Sequence, residues 1–154
     1  PLLFGDTLKA VQAFDKHIPV DVPRIALVDT FKDEPEESIA VATLLRERLR
    51  GVRLDTPLER GGVTPALVHE TRIRLDQAGF KHVEIFVSGG MNPSKIADFV
   101  NNDSPINTFS VGSYIANFSN LNFSSEIHEI DGRAVAKRGK LPGIRNNPKL
   151  GQIM

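Results

Sequence analysis

Residues 24–29 read Arg24-Ile25-Ala26-Leu27-Val28-Asp29, a short apolar run closed by an acid. A run this short, rich in branched side chains and without polar alternation, suits a parallel strand covered on both faces. Asp33-Glu34-Pro35-Glu36-Glu37 follows at once. That composition fits a helix N-terminus, where proline's missing N–H is no loss and the dipole favours acids. Ile39, Ala42, Leu45 and Leu49 then recur at helical spacing, with Gly51 as the expected stop. The segment is one βα unit, and its neighbours decide the fold.

The same layout returns downstream. Val52-Arg53-Leu54-Asp55 is the second predicted strand, Thr56 to Gly62 its loop, and a helix is predicted from Pro65 to Ala78. His82 to Val87 forms the third strand, and Ser88-Gly89-Gly90-Met91-Asn92-Pro93 turns into a helix around Ile96, Phe99 and Val100. Ile106 to Val111 is the fourth, followed by Gly112-Ser113. Upstream, Asp6 is placed to cap a helix carrying Leu8, Val11, Ala13 and Phe14, which Pro19 and Pro23 end. Strand ends at Val28, Asp55, Val87 and Val111 are 27, 32 and 24 residues apart. These are βα-unit spacings, which predict a parallel sheet with right-handed crossovers. After Asn120 the pattern changes to an extended stretch from Leu121 to Ile130. Asp131-Gly132 then signals a hairpin, with Arg133 to Lys137 as the returning strand.

Composition limits what these units can build. The sequence has 154 residues, 40% of them hydrophobic and 25% charged, the profile of a folded globular chain. A complete eight-stranded α/β barrel takes about 250 residues. Without cysteine there is no disulfide, thiolate metal site or cysteine nucleophile. No apolar run approaches the ~18 residues of a membrane span. The opening residues lack the basic and apolar regions of a secretory signal, so a cytoplasmic location is expected. Formal net charge is zero, yet six of the 19 basic residues (Arg133, Lys137, Arg138, Lys140, Arg145 and Lys149) lie after Asp131, where no acid occurs. Such a tail suits an anionic ligand or an acidic docking surface. Nucleic acid is disfavoured, because no aromatic residue follows Phe123 to stack on bases.

In parallel α/β sheets, functional groups gather at the C-terminal ends of strands. Here those ends read Asp29-Thr30, Asp55-Thr56, Ser88-Gly89-Gly90 and Gly112-Ser113, polar or glycine in every case. Each residue alone can also be a helix cap or a tight turn. Glycine at a strand-to-helix turn lets backbone N–H groups approach an anion, and the helix N-terminus adds positive potential. Ser88, Gly89, Gly90, Gly112 and Ser113 are therefore the candidate phosphate site. Asp29 and Asp55 can hold ribose hydroxyls or Mg²⁺ through water. Arg53 lies on the same strand face as Asp55 and needs an anion, either that carboxylate or a ligand phosphate. His17, His69, His82 and His128 are scattered without metal-ligand spacing, and no GxSxG, GxxxxGK[ST] or GxGxxG fingerprint occurs.

The segments from Arg24 to Phe31, Gly51 to Thr56, Ile85 to Gly90 and Phe109 to Ser113, with Gly132 to Leu141, together resemble nicotinate phosphoribosyltransferase. The resemblance runs from about Phe4 to Gly143. It implies part of a β/α barrel of the type II phosphoribosyltransferase kind: the C-terminal half barrel over residues 1–120, then a β-hairpin and basic tail of the β-rich domain over 121–154. It implies a reaction in which nicotinate attacks C1 of phosphoribosyl pyrophosphate, giving nicotinate mononucleotide and pyrophosphate, coupled to ATP hydrolysis and assisted by Mg²⁺. Arg53, Asp29 and Asp55 would then be the catalytic residues, with both aspartates near the metal, and the glycine loops would cradle the 5′-phosphate. The family's N-terminal domain and phosphorylated histidine have no counterpart here. The isolated chain is accordingly expected to be inactive, and to form a homo-oligomer or pair with an N-terminal half. Nicotinamide or quinolinate phosphoribosyltransferase is the alternative enzyme, and a non-catalytic phosphate-binding assembly module the alternative outside catalysis.

Overall fold

The computed structural model describes residues 1–116 and 125–144. Strands β1 (Arg24–Leu27), β2 (Leu49–Leu54), β3 (Glu84–Val87) and β4 (Thr108–Phe109) form one sheet in sequence order, and every neighbouring pair is parallel. Helices α1 (Thr7–His17), α2 (Glu34–Leu45), α3 (Pro65–Gln77) and α4 (Pro93–Asn101) precede or separate the strands. Right-handed crossovers that always advance by one strand leave all helices on one face. The packing agrees: Val11, Val41, Ala42, Leu45, Val68, Leu75 and Phe99 from the helices share one core with Val28, Val52, Leu54, Ile85 and Val87 from the sheet. Full burial of each valine, leucine, isoleucine or phenylalanine side chain among them contributes about 1.5–3 kcal/mol.

The opposite face is arranged in levels by the parallel register. Leu27, Arg53, Phe86 and Thr108 are partners across all four strands, one level above Ile25, Gly51 and Glu84. Two residues further along each strand come Asp29, Asp55, Ser88 and Ser110. Hydrogen bonds from Val28 N–H to Arg53 O (3.3 Å), Ser88 N–H to Leu54 O (2.9 Å) and Ser110 N–H to Val87 O (2.8 Å) carry the ladder into this level. Asp29, Asp55 and Ser88, at three of the four polar strand ends expected from the sequence, thus share a single edge, while Gly112-Ser113 lies beyond the level of Ser110.

Helix starts follow local chemistry. Asp6, Thr64 and Asn92 each accept a backbone N–H from three residues on, as N-caps do. Arg24 is buried, and its guanidinium donates to the Ile18, Pro19, Val22 and Asp15 carbonyls and to the Asp15 carboxylate, closing the end of α1.

Some boundaries differ from expectation. Helix α2 stops at Leu45 and a single 3₁₀ turn covers Arg46–Arg48, so Leu49 and Gly51 belong to β2. Gly51 is not a helix stop. A Cβ there would lie 2.5 Å from the Phe86 ring and 2.8 Å from the Glu84 carbonyl oxygen, so its missing side chain makes room for the aromatic ring. Strand β4 is shorter than the predicted 106–111. The Asp131-Gly132 turn forms as expected, with positive φ at both residues, between β5 (Glu129–Ile130) and β6 (Arg133–Ala134). This pair is separate from the parallel sheet. The predicted strand from Leu121 lies partly outside the described residues, as do Arg145 and Lys149 entirely. Among the described residues, no helix is long and apolar enough to cross a membrane.

Candidate functional site

At the C-terminal edge of the sheet lies a cleft of about 470 Å³. Asp55 and Thr56 after β2, and Gly89 and Gly90 after β3, form part of its wall; Lys95, Lys137 and Lys140 bring positive charge. The glycine loop is conformationally demanding. Gly89 and Gly90 have φ of +93° and +65°, and a Cβ on Gly89 would stand 3.1 Å from Asp55 Oδ1. Gly89 therefore lets this loop close onto the neighbouring strand end. Lys95, in the first turn of α4, donates to the Gly89 carbonyl at 3.1 Å, which holds its ammonium at the loop.

Asp29 is fully buried and ion-paired with the Lys137 ammonium. The same ammonium donates to the Asp55 backbone carbonyl at 2.7 Å. Burial raises the Asp29 carboxyl above its usual range; Lys137 opposes the rise, and nearby Asp55 adds to it. Arg53 Nη2 stands 3.9 Å from Asp55 Oδ2, both side chains partly exposed. The carboxylate expected as one candidate partner for Arg53 is thus in place.

The Asp55–Arg60 loop has its own anchor. Glu34, buried in the first turn of α2, accepts from Thr56 Oγ1 at 2.7 Å and from Arg60 Nη1 and Nη2 at 2.6 and 3.1 Å. Burial pushes Glu34 up, but these donors outweigh it and hold the carboxyl below its usual range. Nearby, Glu37 is buried and accepts from Thr7 Oγ1 at 2.8 Å; burial dominates and its carboxyl is raised.

The candidate residues divide accordingly. Asp55, Gly89 and Gly90 meet in the cleft, with Asp29 joined to it through Lys137 and Arg53 through Asp55. Ser88 is buried and its hydroxyl donates to the Leu54 carbonyl at 3.2 Å, so this bond ties strand ends together. Gly112 and Ser113 are not among the cleft-lining residues. They open the short helix α5 (Ser113–Ala116), with open space around the Gly112 Cα. Sequence reading missed Lys95, Lys137, Glu34 and Arg60 as site residues. Lys95 stood five residues past Gly90 of a proposed anion loop, which is a signal; the other three are joined to the site only by tertiary contacts.

Asp29 and Asp55 are the donors for the expected Mg²⁺. Mg²⁺ commonly takes one or two carboxylates and completes its shell with water and substrate phosphate. Asp55 lines the cleft and fits that role, whereas Asp29 is fully buried with its carboxylate against the Lys137 ammonium and presents no open oxygen to a cation. Among the described residues no group of three or more His, Cys, Asp or Glu residues forms a protein-only cage.

Comparison with known proteins gives the chemistry a context. No family model matches the chain. Over 114 residues it is 33% identical to a protein named nicotinate phosphoribosyltransferase pncB2 in two strains of Mycobacterium tuberculosis. The match covers 73% of this chain and 23% of the relative, so the chain spans about a quarter of the curated relatives' length. A solved structure, nicotinate-nucleotide pyrophosphorylase from Pyrococcus furiosus, is similar with a TM-score of 0.71 and 43% identity. That match covers 93% of this chain and 36% of the other. The resemblance to nicotinate phosphoribosyltransferase read from the sequence is therefore present over 73% of the chain.

Proposed function

We propose that the chain supplies the phosphoribosyl-binding part of a nicotinate phosphoribosyltransferase, in which nicotinate and phosphoribosyl pyrophosphate yield nicotinate mononucleotide and pyrophosphate. The observation that carries this reading is the juxtaposition in one cleft of the Gly89–Gly90 loop, the Lys95 ammonium and the Asp55 carboxylate. The likeness to the Mycobacterium and Pyrococcus proteins supports it.

In this reading the backbone N–H groups at Gly89 and Gly90, with the start of α4 and Lys95, bind the 5′-phosphate. Gly112 and Ser113, in the turn between β4 and α5, are the outer edge of that cradle. Asp55 accepts from ribose hydroxyls, and Arg53 keeps its carboxylate oriented. When bound, Mg²⁺ would offset the charge of the pyrophosphate leaving group, with the cleft-lining Asp55 carboxylate as the residue to hold it through water. Displacement at C1 passes through an oxocarbenium-like state, so placed charge and orientation matter more than a protein nucleophile. The open face of the sheet completes a half barrel whose remaining strands come from elsewhere, either a second copy or an N-terminal half. The base-binding groups and the coupling to ATP hydrolysis belong to that remainder, and the isolated chain does not turn over.

Titration of nicotinate mononucleotide followed by ³¹P NMR tests this directly. The 5′-phosphate resonance shifts on adding the chain, and Lys95→Met weakens the effect; an unmoved resonance contradicts the proposal. The likeness to the Pyrococcus nicotinate-nucleotide pyrophosphorylase favours a second reading, in which the same half-site serves pyrophosphorolysis of a nicotinate nucleotide or the related quinolinate enzyme. Comparing nicotinate, nicotinamide and quinolinate as substrates of the complete enzyme separates these.

A further inference from the structure

The segment from Arg133 to Lys140 crosses the strand ends, and two of its lysines, Lys137 and Lys140, line the strand-end cleft. Arg138 donates its backbone N–H to the Thr30 carbonyl at 2.8 Å, and its guanidinium pairs with Asp33. Gly139, at φ +90°, lies against the Arg60 side chain. A Cβ there would stand 2.7 Å from Arg60 Cγ, 3.1 Å from its Cδ and 3.2 Å from Pro57 Cγ. These distances leave no room for a side chain, and the positive φ independently disfavours one. The segment therefore rests on the aliphatic stem of Arg60, a residue that does not itself line the cleft.

Arg60 can serve as a seat because its far end is fixed. Glu34, buried at the start of α2, accepts from both Nη1 (2.6 Å) and Nη2 (3.1 Å), and Asp33 lies 3.6 Å from Nη2. A two-pronged guanidinium–carboxylate pair orients the whole side chain, which a single ammonium contact would not. Asp33 also pairs with Arg138, so one carboxylate touches both the seat and the segment resting on it. Glu34 accepts in addition from Thr56, which lines the cleft. The half-exposed pair between Lys140 and Glu59 adds little by itself.

We propose that Arg60 is a positioning residue: braced by buried Glu34, it seats Gly139 and so holds the Lys137 and Lys140 ammonium groups in the cleft wall. Arg60 acts on a ligand only through the segment it supports. The seat is a property of the fold, and its consequence for anion binding rests on the phosphoribosyl reading above.

A lysine-specific protease reads the seat without ligand. Cleavage after Lys140 reports release of the segment, and cleavage after Lys9, within α1, reports opening of the fold. Their ratio follows the local event, and a general loss of stability does not raise it. Removing Arg60 alone would strand a buried carboxylate, so the charges are removed together as Glu34→Gln with Arg60→Met, which keeps the bulk of the stem. This neutral pair is expected to raise the ratio at least ten-fold. Gly139→Ala should do the same, and should add less than two-fold when combined with the neutral pair. Gly132→Ala supplies the control for backbone strain, since Gly132 has φ +74° but open space around it, and its ratio should stay within two-fold of the unaltered chain. An unchanged ratio in the neutral pair, fully multiplicative effects in the combination, or equal rises at Gly132 and Gly139 overturn the proposal. Should the neutral pair not fold, the comparison of Gly139→Ala with Gly132→Ala still decides the matter. A ³¹P titration with nicotinate mononucleotide then reads the consequence, with binding by Gly139→Ala expected to weaken at least five-fold. Undiminished binding by that variant overturns the link from seat to cleft. Absence of binding by the unaltered chain refutes the phosphoribosyl reading and leaves the protease result standing.

Discussion

The β1–β2 side of the strand-end edge and its β3–β4 side are built on different principles. On the first, Asp29, Asp55 and the loop to Arg60 carry charged side chains already engaged within the chain: Asp29 by Lys137, Asp55 by Arg53 and Arg60 by Glu34. On the second, Gly89, Gly90 and Gly112 bring backbone close to the edge with no side chain in the way. The difference teaches where stability and recognition reside. Side-chain networks make the first side expensive to disturb, whereas the second can lose ligand affinity with little cost to the fold.

The largest effect should follow from breaking the first side. Glu34→Gln removes the charge from a buried bidentate pair and weakens the hold on Thr56 and Arg60, and should cost about 3 kcal/mol in urea unfolding. Its pH dependence follows from the lowered carboxyl. Relative to Glu34→Gln, the unaltered chain should keep this advantage in full above pH 4.5, Glu34's ordinary value, and lose it as pH falls through the lower folded value. Asp29 and Glu37, both raised, act in the opposite sense: the stability they cost when ionised is recovered as pH falls through their folded values. A stability gap unchanged on acidification would show that Glu34 is not held ionised by Arg60 and Thr56.

Next in size is Gly89→Ala. Its positive φ and the Asp55 carboxylate 3.1 Å from the new methyl should cost about 1–2 kcal/mol and reduce nucleotide affinity as the loop shifts. Gly112→Asp sharpens the contrast, because open space surrounds that position. Its unfolding free energy should stay within about 0.5 kcal/mol of the unaltered chain. Lys95→Met is the mildest, expected to reduce phosphate affinity several-fold with no measurable loss in thermal midpoint. Equal stability losses at Gly112 and Glu34 would erase the distinction between the two sides.

Much of this layout was legible from local pattern. The acid at the end of β1, the acid at the end of β2 and the glycine loop after β3 can be read because a strand end and the following helix start lie within a few residues. Asp6 and the Asp131-Gly132 turn were legible for the same reason. Lys137 was not: it acts on Asp55's carbonyl from 82 residues away, and its own neighbourhood reads as a basic tail. Arg60 likewise reads as a loop cation until Glu34 is seen to accept from it. Gly51 misled, since a glycine after helical spacing looks like a stop; its real reason, the Phe86 ring on the adjacent strand, is a tertiary contact. Local chemistry placed the site, and long-range ion pairs complete it.

The central claim is that the strand-end cleft binds the phosphate of a nicotinate nucleotide. Calorimetric titration of nicotinate mononucleotide into the chain and its Lys95→Met variant tests it most directly. Saturable binding at one site per chain is predicted, weakened several-fold by loss of the Lys95 ammonium while the fold stays intact. No heat of binding in the unaltered chain, or equal affinity in both, would contradict it.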